Sequence, residues 1–410
     1  MRSLSERASF WTAGAVVALA LWTSACPTMI YPLYQTDWGV TSTTVAWIFA
    51  AYPIALIPVL VVFGDLSDHI GRRAAMLLGL AAELVGVLLF VLARDVTWLL
   101  IGRAFMGLGV GLSLSPASVA MVEFSAPGAE KRAGAIGTAV SAFGIALAML
   151  VGGGLSEYAP YPLRLTFVVL AVVILVVAFF ALGLPRHTPD EDSSRWRIRA
   201  IVIPRGNRGI FAAGSIAFAS SFVLGSLVLP LGAKIAHQLA GSDNALVTGA
   251  LLSVFALSIA ATALLAKRLD IWTTVIFGAV FSAGAVWLFV VTGVTHSVVV
   301  FFLASACAGI GYAFDFAGGL TILNRYAAAH HRASMVSGGY LVGYLSQGIG
   351  APALGAIVTA RGLMTGLFTG AIAFSVVFAV SLVGALTVSR SLRHAVPAER
   401  SLETAAAEQG

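Results

Sequence analysis

Gly64-Asp65-Leu66-Ser67-Asp68-His69-Ile70-Gly71-Arg72-Arg73 interrupts two long apolar runs, one over 41–64 and one over 74–94. The glycines permit a tight reversal of the chain. Arg72 and Arg73 fix the side on which the loop stays, because Lys and Arg mark the cytoplasmic face of a bilayer. Asp68 can face a helix N-terminus, where free backbone N–H groups favour an anion. Each flanking run matches the ~20 apolar residues that cross a hydrocarbon core. The stretch reads as a charged turn between two membrane helices.

The same alternation continues in both directions. Of 410 residues, 59% are hydrophobic and only 10% charged, where a soluble domain carries roughly 25% charged residues. So few charges cannot cover a water-facing surface, so lipid must solvate much of the chain. Apolar runs fall at 9–34, 41–64, 74–94, 97–123, 132–156, 163–184, 208–233, 245–266, 271–293, 297–324, 332–360 and 363–389. They predict an all-α membrane protein of twelve transmembrane helices in two six-helix bundles, at 1–184 and 208–389. A cytoplasmic central loop at 185–207, with its Asp190-Glu191-Asp192 run, links them, and a disordered cytoplasmic tail fills 390–410.

Charge placement orients this arrangement. Arg2, Arg72, Arg73, Lys131, Arg132, Lys267, Arg268, Arg325, Arg332 and Arg390 fall in alternate connections, while the opposite set holds only Arg94, Arg164, Lys234 and Arg361. The richer side is predicted to be cytoplasmic. Both termini then lie inside, which requires an even number of spans and agrees with twelve. The expected location is the inner (plasma) membrane, multi-pass. The net charge of +6 is explained by this topology, so no nucleic-acid partner is implied.

Several chemistries find no support in the sequence. Cys26 and Cys307 sit inside apolar runs without metal-ligand spacing, and the adjacent His330 and His331 do not form a helix-face pair. No phosphate loop, metalloprotease helix or nucleophile elbow is present, so neither a cofactor, a metal nor an enzymatic role is expected. Thr23-Ser24-Ala25-Cys26 has some likeness to a lipoprotein cleavage site, but Thr23 replaces the large aliphatic residue expected there, so 9–34 reads as a first span.

The halves carry weak internal repeats, Gly107-Leu-Gly-Val-Gly111 against Gly309-Ile-Gly-Tyr-Ala313, and Ala148-Met149 with Gly152 against Ala351-Pro352 with Gly355. Such symmetry marks transporter folds, with a solute site near mid-membrane. Ionisable residues inside spans are costly, roughly 2.5–3.5 kcal/mol for a mid-helix arginine, and mark functional sites. Three stand out: Arg103, Asp315 and Glu83. Aromatic and polar candidates for the cavity wall are Trp22, Tyr52, Phe222, Tyr312, Phe314, Tyr340, Tyr344 and Gln347.

The opening stretch closely resembles the cytoplasmic loop signature of the major facilitator superfamily, Gly-x-Leu-x-Asp-Arg-x-Gly-Arg-Arg/Lys. Gly64, Leu66, Asp68, Gly71, Arg72 and Arg73 match, and His69 replaces an arginine. The resemblance implies two pseudo-symmetric bundles about a central cavity working by alternating access, as a monomer. It implies that this loop latches the halves in the outward-open state, with Asp68 facing Arg332–Val336 and Arg72 or Arg73 paired with Glu123. Arg103-Ala-Phe-Met106-Gly107 is similar to the family's fourth-span signature, which ties the arginine to proton coupling, although Met106 stands where glutamine is usual. The tenth span usually borders the cavity, which makes Asp315 a coupling or substrate candidate. The third is usually peripheral, which leaves Glu83 either a proton or a structural role. Gly134, Gly144 and Gly152 resemble the fifth-span motif of proton-coupled drug exporters, with Met149 in place of its proline, and Pro27, Pro32 and Pro53 resemble bacterial drug exporters of the same superfamily.

The expected function is secondary transport of a small organic solute, with export of a drug-like amphipathic compound in exchange for protons foremost. The rivals are proton-coupled uptake of a metabolite and a non-transporting membrane sensor. The expected partners are a small-molecule substrate, protons and the lipid bilayer.

Overall fold

The computed structural model describes residues 4–63, 66–185, 203, 205–241, 243–266, 268–326 and 331–407, without the side chains of Asp68, Lys131, Ala333 and everything from Arg390 onward. Gly64 and Asp65, the side chain of Asp68 and most of the linker read at 185–207 therefore lie outside the described residues.

Twelve helices among the described residues are long and apolar enough to cross a membrane: Glu6–Asp37, Ser42–Val62, Arg72–Val91, Val96–Glu123, Arg132–Tyr158, Pro162–Ala181, Arg205–Leu239, Ala245–Ala266, Ile271–Thr295, Val298–Arg325, Ser334–Arg361 and Leu363–Ser389. They are numbered spans 1 to 12 below. Their starts follow local chemistry. Ser5, Thr41, Asp95, Asp270 and Ser297 each accept a backbone N–H from the first turn of the helix they precede, satisfying donors that have no intrahelical partner. Gly362 separates spans 11 and 12 with φ +86°, a conformation that favours glycine. Span 1 is not one continuous α-helix. It runs as α-helix over Glu6–Ala25, tightens to a 3-10 turn over Cys26–Met29 and resumes over Tyr31–Asp37. Pro27 and Pro32 lack the N–H that an uninterrupted helix needs there.

Two ends differ from the sequence reading. Span 7 continues to Leu239, beyond the expected 233, and carries Lys234 within it. The lysine is tolerated because its amine donates to Ser42 Oγ at 2.8 Å. The tail expected to be disordered from 390 is instead helical to Ala407, in keeping with its alanines and unbranched charged residues.

Packing places the spans in rings. Within the most apolar window, 78% of span 1 and 89% of span 7 are buried, against 33% of span 6 and 28% of span 12. Spans 1 and 7 are therefore central, and spans 6 and 12 present residues such as Phe179 and Val383 outward, where lipid solvates them. Spans 3 and 4 form one tight seam and spans 9 and 10 its counterpart. The halves meet along spans 2 and 11 and along spans 5 and 8. The repeats seen in the sequence are packing repeats. A Cβ on Gly107 of span 4 would strike the Tyr52 carbonyl of span 2, and one on Gly309 of span 10 would strike the Phe255 carbonyl of span 8.

Hydrogen bonds between the halves gather at the face opposite Arg72, Arg132 and Arg325. Thr43 N and Thr43 Oγ1 both donate to Thr359 Oγ1 at 2.9 Å. Ala245 N donates to Glu157 at 2.8 Å, and Asn244 to the Tyr158 hydroxyl at 2.8 Å. Glycines let the backbones approach here, with Gly249 against the Met149 carbonyl and Gly153 against that of Ala245. This is the close helix contact that small residues permit in membranes. A recess of about 640 Å³ lies among these ends, lined by residues of both halves including Gln35, Ser42, Glu157, Lys234 and His237.

Candidate transport site

An aromatic cluster occupies the second half. Phe218 and Phe222 of span 7 lie 5.1 Å apart. Phe218 meets Tyr340 of span 11 at 4.9 Å, Phe222 meets Tyr344 at 4.8 Å, and Phe316 of span 10 meets Phe218 at 4.8 Å. Tyr312 stacks parallel to Phe316. Ring pairs at these separations are mutually attractive. Gln347 is nearly buried one turn beyond Tyr344, and a Cβ on Gly225 would meet its amide nitrogen at 3.1 Å. Of the expected wall residues, Phe222, Tyr312, Tyr340, Tyr344 and Gln347 therefore come together. Phe314 does not: it packs on Phe277 and Phe281 of span 9. Phe218 and Phe316 take part although the sequence reading passed over them. Trp22, in the other half, is buried on span 1.

Arg103 is the fixed cation of the first half. It is fully buried, so it does not reach the headgroup region. Nη1 donates to the Ser24 carbonyl at 2.9 Å and Nη2 to the Phe49 carbonyl at 3.5 Å. The guanidinium carbon lies 4.7 Å from the Tyr52 ring centroid and 5.7 Å from that of Phe49. Carbonyl dipoles and ring faces together take the place of a carboxylate. Its Nε has no partner.

The two intramembrane acids lie in the helix seams. Glu83 of span 3 accepts the Thr23 hydroxyl of span 1 at 2.9 Å and the Ser113 hydroxyl of span 4 at 2.8 Å. Asp315 accepts the Ser282 hydroxyl of span 9 at 2.7 Å. It sits on the span 9 side of its helix, while Tyr312 and Phe316 of the same helix join the aromatic cluster. Thr23, Ser113 and Ser282 were not anticipated as site residues; only their spacing after a glycine on each of spans 4 and 9 could have drawn attention to two of them.

The loop after span 2 ties the first half together. Arg72 Nε lies 2.8 and 2.7 Å from the two oxygens of Glu123, and Nη2 lies 2.6 Å from Oε1. Arg73 donates to the Leu184 carbonyl at 3.1 Å. The expected Arg72–Glu123 pair is thus formed between the start of span 3 and the end of span 4. Gly71 adopts φ +84° just before it.

Residues 11–351 match the family model of the Major Facilitator Superfamily. The chain belongs to that superfamily. With its twelve membrane-crossing helices it is a multi-pass membrane protein. It is 28% identical over 243 residues to the multidrug efflux pump LfrA of Mycolicibacterium smegmatis, covering 53% of this chain and 46% of that protein. It is 33% identical over 147 residues to the puromycin resistance protein pur8 of Streptomyces alboniger, covering 35% of this chain and 27% of that one. The chain thus spans less than half the length of these curated relatives. Among solved structures, a bacterial homologue of the human lysosomal transporter Spinster, inward-facing and unoccupied, superposes with a TM-score of 0.71 at 16% identity, covering 94% of this chain and 97% of that one. The nucleoside transporter NupG gives 0.70 at 13% identity, covering 94% and 98%. These likenesses concern the fold.

Proposed function

We propose that this transporter exports a small amphipathic compound bearing an aromatic ring, in exchange for protons. The aromatic cluster of Phe218, Phe222, Phe316, Tyr312, Tyr340 and Tyr344 carries the reading. Tyr312, Phe316, Tyr340 and Tyr344 are partly exposed and offer ring faces and hydroxyls with no charged group among them, backed by the buried Phe218 and Phe222, which suits an apolar, planar solute with few polar atoms. The named efflux pump and resistance protein among its relatives support the same direction. The bias of Lys and Arg between alternate loops supports cytoplasmic termini. The two six-span halves would then rock about the central site.

Coupling is assigned to Glu83 together with Arg103. Glu83 holds Thr23, and Arg103 holds the carbonyl of the next residue, Ser24. An ionised Glu83 accepts from both hydroxyls. A protonated Glu83 has its own O–H to give, so the bond at the protonated oxygen can reverse, with the hydroxyl then accepting. Proton binding at Glu83 therefore acts on the turn of span 1 that Arg103 also grips. This favours Glu83 over Asp315, whose hydrogen bonding among the described residues reaches only Ser282 of span 9.

The test uses everted vesicles energised to be acid inside, with ethidium, puromycin and small sugars as solutes. Uptake of the aromatic solutes that collapses with the pH gradient, and is lost in Glu83→Gln, is expected. Gradient-driven movement of sugars alone would overturn the reading.

A further inference from the structure

Two buried hydrogen bonds in opposite halves share one construction. The seam between spans 3 and 4 carries Gly79-x-x-x-Glu83 on one helix and Gly109-x-x-x-Ser113 on the other. The seam between spans 9 and 10 carries Gly278-x-x-x-Ser282 and Gly311-x-x-x-Asp315. In each seam the glycine of one helix faces the polar residue of its partner. A Cβ on Gly79 would lie 2.7 Å from Ser113 N, and one on Gly278 would lie 2.7 Å from Asp315 N. A Cβ on Gly109 would lie 2.6 Å from Glu83 N, and one on Gly311 would lie 2.6 Å from Ser282 N. The repeats Gly107–Gly111 and Gly309–Ala313 lead, two residues on, to Ser113 and Asp315. Geometry and sequence therefore align Ser113 with Asp315 and Glu83 with Ser282. Each seam holds one carboxyl and one serine, bonded at 2.8 Å in the first half and 2.7 Å in the second. Between the halves, acid and hydroxyl have changed helices.

We propose that Asp315 and Ser282 form the second-half copy of the Glu83–Ser113 clasp, and that Asp315 is a positioning residue, not the carrier of the transported proton. The clasp fixes span 10 against span 9 and so sets where Tyr312 and Phe316 present their rings, an argument that rests on reading the aromatic cluster as the solute wall. Both acids and both serines are fully buried. A carboxyl left without the serine would be an unpaired polar group in an apolar seam. What separates the halves is the second carboxyl oxygen. In Glu83 it accepts from Thr23 of central span 1. In Asp315, Oδ1 has no partner, and among the described residues no hydrogen bond runs from it to central span 7. The copies share the clasp, and only that of the first half is bonded to a central span.

Because the clasp needs one acid and one hydroxyl but not a fixed order, the acid can be moved. The experiment compares Asp315→Asn, Asp315→Leu and the relocated double variant Ser282→Asp/Asp315→Ser in the full chain. Thermal unfolding in detergent and ethidium binding by fluorescence are measured for all, with gradient-driven transport in vesicles. Asp315→Leu is expected to lower the unfolding temperature and weaken ethidium binding by about tenfold. Asp315→Asn keeps an acceptor for Ser282 and is expected to retain stability and proton-driven transport. The relocated variant should recover the stability and binding lost in Asp315→Leu. The proposal is overturned if the relocated variant is no more stable than Asp315→Leu, or if Asp315→Asn loses proton drive while still exchanging solute downhill. Failure of the coupling reading is separate: it appears as unchanged proton drive in Glu83→Gln and leaves the stability comparison intact.

Discussion

The guanidinium of Arg103 lies over the ring of Tyr52, 4.7 Å from its centroid, while its Nη1 holds the carbonyl of Ser24. One side chain on span 4 thereby grips spans 1 and 2 without forming an ion pair among the described residues. Both partners depend on the planar, forked shape of the group as well as its charge. Arg103→Lys keeps the charge but loses the fork and the stacking face. Transport is expected to fall about tenfold or more, equivalent to about 1.4 kcal/mol, with Arg103→Ala lower still. Tyr52→Phe, which keeps the ring, should stay near the parent rate, while Tyr52→Leu should resemble Arg103→Lys in the same vesicle assay.

The Arg72–Glu123 pair is partly exposed, with side-chain accessibilities of 20% and 32%. Solvent screening limits such a pair to about 1 kcal/mol at most. Arg72→Ala and Glu123→Gln should therefore leave the unfolding temperature nearly unchanged. If the pair positions the loop for the transport cycle, both should slow transport, and the exchanged variant Arg72→Glu/Glu123→Arg should recover part of the loss. A rate unaffected by either single change would show that the pair has only a local role.

Thr43 Oγ1 and Thr359 Oγ1 are 2.9 Å apart across the two halves. Cysteines at both positions, in a background with Cys26→Ser and Cys307→Ser, are expected to form a disulfide on mild oxidation. Transport should stop when the bridge forms and return when it is reduced, because a rocking cycle must separate these ends. Continued transport by the fully bridged protein, measured alongside gel mobility, would exclude separation at this face.

Asp270 caps span 9, accepting the backbone N–H groups of Trp272 and Thr273 at 3.1 and 3.0 Å and the Thr273 hydroxyl. The Thr273 hydroxyl, first among these donors, holds its carboxyl below the usual range. A folded-state value below the unfolded one means the carboxylate stabilises the fold above the unfolded value of about 3.9, and that this contribution is lost as pH falls through the folded value. Asp270→Ala should cost about 1 kcal/mol at neutral pH, as cap removal does elsewhere. The gap to the parent should narrow below about pH 4 in thermal scans across pH.

The candidate site was only partly legible in the sequence. Arg103, Glu83 and Asp315 stood out because charge inside an apolar run is rare and costly. Phe222, Tyr312, Tyr340, Tyr344 and Gln347, which come together in the structure, stand out in the sequence as aromatic or polar residues on spans 7, 10 and 11. Phe314 and Phe316 flank Asp315 alike in the sequence, and only the helix's rotation shows that Phe314 faces span 9 while Phe316 joins the aromatic cluster. Lys234 looked like a loop residue because a lysine commonly ends a span; the Ser42 hydroxyl that lets it sit inside a helix belongs to a residue remote in sequence.

The number of spans and their division into two halves were legible from composition and spacing, because a bilayer imposes a length on every crossing. The loop from Gly64 to Arg73 carried the family through its resemblance to the superfamily signature. Which groups the intramembrane charges meet emerges only from the packing of the helices. Glu83 and Asp315 look alike as lone acids in apolar runs. One bridges to the central helix through Thr23 and the other closes only on Ser282, because hydrogen-bond partners are set by which helix faces arrive in contact, and no local spacing encodes that.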